Sequence, residues 1–396
     1  MAVWAQDPAE LNAQGVAHYE AGKWNDAIKD FERAYNQVPD NPTIRRNLCN
    51  AHQSAANDLA KVADFAAAVK HLEVSISVDP QNAAPLIQLG SYYLRLNFVA
   101  DAIFRLEDAI TLDTKNIDAH YLLGYAYYLD NDIPSAREQW EWVAKVQPNR
   151  PGLKENLEKA TREEAVESEY RSTKSRHFQF MNSPDISNAA IRRVQAILDR
   201  AYIEIGRNFG KSYPPEPVPV IVYDKKGFSG ATQVGEHVGA LYDGKIRIPL
   251  VDENGNLLDD TEMKRRLYHE YTHVVVRFLA GENVPWWLNE GLAEMFSRDF
   301  DSSVLSFVQQ ANAEGKLFAL ASLEGAQLGK LGPDAIRLAY AQSHATVYHL
   351  INRYGYHRLV SLMSNLAEGR PIQEALRSVY NRTYESLQLE VARTLL

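Results

Sequence analysis

The sequence predicts a multidomain chain, an all-α helical-repeat solenoid followed by an α+β domain. Three observations carry this reading. Residues 8–150 resemble themselves at a 34-residue period. The period stops near residue 170. Beyond it, short β-branched apolar runs come first and helical patterns after, the order of an α+β domain. The 396 residues leave room for two or three domains, and a chain of that size buries a core without disulfides.

In the first part, Gly90 and Gly124 are 34 residues apart, as are Tyr93 and Tyr127, Ala102 and Ala136, and Ala68 and Ala102. Gly15, Ala27, Phe31, Ala34 and Pro39 occupy matching offsets in a first unit. In this period and pattern the segment resembles the tetratricopeptide repeats, which have two antiparallel helices per unit. Small residues let the helices of a pair approach, aromatics fill the groove between them, and Pro39, Pro80 and Pro148 fall in the turns between units. Ala27 and Ala68 are 41 residues apart, seven more than the period, so the second of four units has longer helices by two turns. The charged stretch from Leu153 to Glu164 has few apolar positions and a polar outer face, as a capping helix requires. The expected division is repeats over 8–150, capping helix and linker over 151–172, and a second domain over 173–396. The concave face of four stacked repeats suits a protein or peptide partner. A spacer or a dimerisation module fits the same sequence equally well.

In the second part, Phe178-Gln-Phe180 reads as a short strand, 186–207 as a helix, and Pro217 to Tyr223 as a buried strand. Ala240 to Pro249 reads as a hairpin about Asp243-Gly244. From about 259 the pattern is helical. Asp259, with Glu262 three residues on, fits a capping box at the first of these helices.

Composition excludes some functions. The net charge of −9 has the wrong sign for a nucleic-acid binder. No apolar run approaches the ~18 residues of a membrane span. Cys49 is the single cysteine, which excludes an intramolecular disulfide or a multi-cysteine metal site. Val3-Trp4-Ala5 has small residues where a signal peptidase cuts, so the expected location is exported, periplasmic, with the cytoplasm as the alternative.

The chemistry lies in His269-Glu-Tyr-Thr-His273. Leu267, Tyr271, Val274 and Phe278 make one apolar face of a helix by their spacing. His269 and His273 are four residues apart and project from one face, the spacing at which two imidazoles bind one Zn²⁺. Glu270 stands about 100° around the helix, positioned to act on water rather than on the metal. Glu290 follows 17 residues after His273 in Trp287-Leu-Asn-Glu290-Gly-Leu-Ala-Glu294, a second helix with Pro285 in its first turn. Glu290 is the candidate third ligand. Two histidines and a carboxylate leave a fourth position for water, the pattern of a catalytic zinc site. Glu294, one turn on, is placed to accept the free ring N–H of a ligand histidine.

Here the sequence resembles the gluzincin zinc metallopeptidases, and within them the peptidase-MA-like group, over roughly residues 175–370. The resemblance implies a zincin-like fold, zinc held by His269, His273 and Glu290, general-base catalysis by Glu270, and orientation of a histidine by Glu294. It also points to Tyr340, in Leu338-Ala-Tyr-Ala-Gln-Ser-His344, as the donor to the oxyanion, with His344 as the other candidate and a half-buried core tyrosine as the plain reading. The function this implies is hydrolysis of peptide bonds in a protein or peptide substrate, with an extended peptide taken against the hairpin edge or that hairpin simply paired. The alternative is a non-cleaving scaffold with a peptidase-like zinc domain. Trp286 and Trp287 read as anchors of their helix start.

Overall fold

The computed structural model describes residues 6–62, 64–215, 217–233, 240–251, 256–325 and 331–394. Val3, Trp4 and Ala5 lie outside them. The chain divides into two compact units, 1–157 and 158–396.

The first unit is a run of helix pairs: α1 (Pro8–Glu20) with α2 (Trp24–Tyr35), α3 (Pro42–Lys61) with α4 (Phe65–Val78), α5 (Ala83–Arg95) with α6 (Val99–Leu112), and α7 (Ile117–Leu129) with α8 (Ile133–Val146). Asp7, Asn41, Asp64, Asn82, Asn116 and Asp132 each cap a helix by accepting from a backbone N–H of its first turn. Pro39, Pro80 and Pro148 lie in the turns. The 34-residue period is a packing period. A Cβ on Gly15 would stand 2.5 Å from Phe31, one on Gly90 2.6 Å from Leu106, and one on Gly124 2.5 Å from Trp140. Each glycine therefore seats the large side chain of the following helix directly against its backbone. The first helices of units one, three and four have 13 residues and α3 has 20. The extra seven residues sit in α3 alone, because α4 has 14 residues like α6 and α8. The expectation that both helices of that unit lengthen is corrected accordingly.

Helix α9 (Leu153–Glu167) runs across the division between the units. Its acidic residues are not all on a polar outer face: Glu163 and Glu167 are buried.

The second unit holds a five-stranded sheet of order β1 (Arg171–Lys174), β2 (Phe178–Asn182), β3 (Val218–Tyr223), β5 (Ile246–Pro249), β4 (Leu241–Tyr242). The β2–β3 and β3–β5 pairs are parallel, and β1–β2 and β4–β5 antiparallel. Leu241 pairs with Arg247 and Tyr242 with Ile246, so the hairpin about Asp243-Gly244 forms with β4 at the sheet edge. The parallel pairs require crossovers, and α10 (Asn188–Asn208) and α11 (Lys225–Thr232) supply them.

Strand alternation divides the buried residues between two faces. Phe178, Phe180, Val220, Val222, Ile246 and Ile248 join the main core with Val194, Leu198 and Ile205 of α10. Ile221 and Tyr223 pack with Phe228 and Ala231 of α11. Lys245, just before β5, and Arg247 within it are fully buried beside Glu163 and Glu167. Arg247 reaches Glu163 at 2.8 Å, Glu167 at 3.0 Å and Asp243 at 3.0 Å, and Lys159 reaches Asp243 at 2.7 Å. The hairpin pattern gave no sign of this ionic layer.

The remaining helices are α12 (Asp260–Ala280), α13 (Trp286–Ser297), α14 (Ser302–Ala313), α15 (Pro333–Tyr354), α16 (Tyr356–Ala367), α17 (Ile372–Tyr380) and α18 (Tyr384–Thr394). The sheet, with α10 and α11 between its strands, is complete before this run of helices begins, which makes the unit α+β. Among the described residues no helix is long and apolar enough to cross a membrane.

Candidate metal centre

Helix α12 begins where Asp259 accepts from the Glu262 N–H at 2.8 Å. The expected capping box is half made, because the Glu262 carboxylate goes to Arg265 and Arg266 instead. Leu267, Tyr271 and Val274 are buried in the core as their spacing requires, and Phe278 is partly buried. This fixes the rotation of the helix and with it the directions of His269 and His273.

Helix α13 begins at Trp286, with Pro285 at the N-cap rather than inside the first turn. Trp287 is fully buried and donates its indole N–H to the Tyr384 hydroxyl at 3.2 Å. Trp286 meets the Tyr340 ring edge-on at 5.1 Å. Gly291 explains how close α13 lies to α15. A Cβ there would stand 2.5 Å from the Ser343 carbonyl oxygen and 2.6 Å from Val347. The two tryptophans and this glycine set where Glu290, Glu294 and Tyr340 stand.

The result is a convergence of donors. The ligand atoms of His269, His273 and Glu290 lie within 4.8 Å of one another. Glu290 Oε2 is 3.3 Å from His269 Nε2 and 3.7 Å from His273 Nε2. Donors around a tetrahedral zinc at ~2.0–2.1 Å stand roughly 3.4 Å apart, close to the two separations from Glu290. The opposite ring nitrogens face polar partners, by a hydrogen bond at His273 and at ion-pair distance at His269. His273 Nδ1 donates to Asn289 Oδ1 at 3.0 Å, and His269 Nδ1 is 3.5 Å from Glu294 Oε1. Arg298 in turn pairs with Glu294. Asn289 and Arg298 were not among the residues the motif singled out.

Charge in the site points the same way. Burial disfavours a charged His269, but Glu290, Glu294 and Glu270 override it and hold its pKa at about 10. Burial would raise Glu290 and Glu294, yet the histidines, and Arg298 beside Glu294, keep both below the ordinary carboxylate range. Two ionised carboxylates therefore face the histidine pair, an environment that stabilises a cation. Glu270 is the exception. It is buried, and burial pushes its pKa up despite His269 and His273, which suits a group that takes and returns a proton.

Tyr340 is partly buried, and burial together with the Glu290, Glu294 and Glu270 charges pushes its pKa up, so the hydroxyl stays protonated. His344 is fully buried against Phe300, and burial lowers its pKa to about 4. Neither of its ring nitrogens has a hydrogen-bond partner among the described residues.

A model of the Peptidase MA superfamily matches residues 257–394. Models of tetratricopeptide repeats match residues 8–41 and 87–152. No curated protein matches the chain. Similar solved structures include the crystal structure of MamA, 20% identical, covering 38% of this chain and 84% of that one with a TM-score of 0.32. MamA from Desulfovibrio magneticus RS-1 is 21% identical, with 37% and 78% covered and a TM-score of 0.28. The C-terminal part of a TPR repeat-containing protein from Cytophaga hutchinsonii is 18% identical, with 60% and 86% covered and a TM-score of 0.29. Fold, repeats and donor geometry agree: the chain joins tetratricopeptide repeats to a domain of the peptidase MA superfamily.

Proposed function

We propose that the chain is a zinc-dependent peptidase whose repeats recruit a protein substrate or partner. The observation that carries this is the meeting of His269, His273 and Glu290 within 4.8 Å, with buried Glu270 next to His269 on the same helix. His269, His273 and Glu290 would hold a zinc ion, which would supply Lewis acidity for activating water there. Glu270, its own pKa raised by burial, takes the proton of the attacking water and returns it to the leaving amine. Tyr340, protonated beside the carboxylates, donates to the oxyanion. Asn289 and Glu294 hold the ring orientations of His273 and His269. Strand β4 at the sheet edge offers backbone groups to an extended peptide.

The test is zinc content and peptide cleavage of the full chain beside Glu270→Gln and His269→Ala. About one zinc per chain is expected, kept in Glu270→Gln and lost in His269→Ala. Cleavage is expected to fall at least about 10³-fold in both. Turnover that survives Glu270→Gln would overturn the mechanism. Zinc without turnover in the parent chain would leave a zinc-binding scaffold.

A further inference from the structure

A second cluster of charge lies at helices α15 and α18, on residues to which the peptidase reading gives no role. Arg353, Arg382, Ser386, Leu389, Glu390, Arg393 and Thr394 line a cavity of about 490 Å³. Three guanidinium groups thus share the lining with one carboxylate. Arg353 presents Nε to Glu390 at 2.5 Å and Arg382 presents Nε at 2.6 Å. The Tyr354 hydroxyl donates to the same carboxylate at 2.9 Å, and His349 Nε2 lies 3.5 Å away. Arg393 makes no hydrogen bond or ion pair among the described residues.

Donors exceed acceptors here. Each guanidinium carries five N–H groups, whereas a carboxylate offers about four lone-pair sites, one already taken by Tyr354. Arg382 also spends Nη1 on the Asn381 carbonyl at 3.1 Å. The lining side chains sum to a charge of about +2 in a chain whose net charge is −9. Like charges gathered at one place repel unless an anion joins them, and planar guanidinium forks match the edges of an oxyanion. Glu390 already shows the chemistry these groups accept, an oxyanion held edge-on by two arginines and a tyrosine. The Ser386 and Thr394 hydroxyls in the lining already donate to the Thr383 and Glu390 carbonyls, so the arginines are the donors left for a ligand.

We infer that this cavity is a binding site for a multiply charged oxyanion of the phosphate or polycarboxylate class, supplied free in solution or by an acidic protein segment. The site is independent of the zinc centre, and its test is made so. Inorganic phosphate is titrated calorimetrically into the full chain and into His269→Ala, against sodium chloride of equal ionic strength. The expected dissociation constant is on the order of 0.1–1 mM at low salt, weakening as salt is added. The affinity should be equal in both chains. Arg393→Gln, which breaks no internal contact among the described residues, should weaken binding about five-fold with no change in thermal midpoint without phosphate, and Arg353→Gln, which also gives up its ion pair with Glu390, should weaken binding as well. Glu390→Gln, which removes the competing charge, should strengthen it. A hexaglutamate peptide that binds the parent and not Arg393→Gln identifies a protein segment as the source. Binding of phosphate without the peptide identifies a free anion. No binding beyond that of chloride, or unchanged affinity in both arginine variants, would overturn the site.

Discussion

At the scale of the residue, each candidate ligand histidine has its two nitrogens assigned to different tasks. Nε2 of His269 and His273 point at Glu290, while their Nδ1 atoms point at Glu294 and Asn289. A ring held at both ends loses little freedom on taking a metal. Removing the outer partner should therefore weaken zinc rather than abolish it. Asn289→Ala is expected to lower zinc affinity about 10–100-fold, read by competition with a chromogenic chelator. Arg298→Gln should act in the same direction and less strongly, since it reaches His269 only through Glu294. Unchanged affinity in both would mean the histidines are oriented by packing alone. The ligand set and Glu270 were legible in the sequence, because fixed helical spacings stand for fixed directions. Asn289 was not, although it sits beside Glu290. Its role depends on how α13 is rotated against α12, and no local spacing encodes that. Arg298 lies beyond the motif and contacts it only in three dimensions.

At the scale of the element, three of the four helix pairs in the first unit are set by a glycine facing a large side chain 16 residues on, as Gly124 faces Trp140, and the second has Ala56 in the glycine's place. Ala at position 124 gains up to about 1 kcal/mol in helix propensity, but drives a methyl group into the indole. Overpacking of this kind costs roughly 1–3 kcal/mol, so Gly124→Ala should lose about 1 kcal/mol net in denaturant unfolding. Adding Trp140→Leu should recover part of the loss, since the second unit carries Ala56 and Leu72 at these two positions, both buried in one cluster. Additive losses in the double variant would refute this packing. At Gly291 the neighbour is the backbone of α15, which cannot rotate away. There Gly291→Ala should shift α13 and lower zinc affinity along with stability. The glycines were visible as a period, and the period predicted four helix pairs. Lys245 and Arg247 were not visible as buried groups. Alternation in Lys245-Ile-Arg-Ile reads equally well as a strand with one face in water, and only Glu163 and Glu167, some 80 residues earlier in the chain, make that face internal.

At the scale of the whole molecule, the two units carry different titratable groups, and the candidate metal donors lie in one of them, which makes the units separable by experiment. All three donors of the candidate metal centre belong to the second unit. A ligand that binds only the folded state stabilises it by about 4 kcal/mol at a thousand times its dissociation constant. Removing metal with a chelator should therefore lower the thermal transition of the second unit and leave that of the first in place. The first unit has its own sensitivity, to acid. His52 and His71 share a hydrogen bond between their Nδ1 atoms at 2.9 Å, which requires at least one neutral ring. Burial, with His71 adding to it, lowers the His52 pKa to about 4. Below about 6.5 the unfolded chain binds a proton at this position that the folded unit refuses until about pH 4. The stability held above pH 6.5 is thus lost as pH falls toward 4, by about 2 kcal/mol once partial solvent screening is allowed for. His52→Gln should flatten that slope in the first unit's transition between pH 6.5 and 4. Calorimetry across this range, with and without chelator, reads both effects on one chain. If the chelator and the His52 substitution moved the same transition, the two units would be unfolding as one cooperative body, and the repeats would be part of the metal centre's stability.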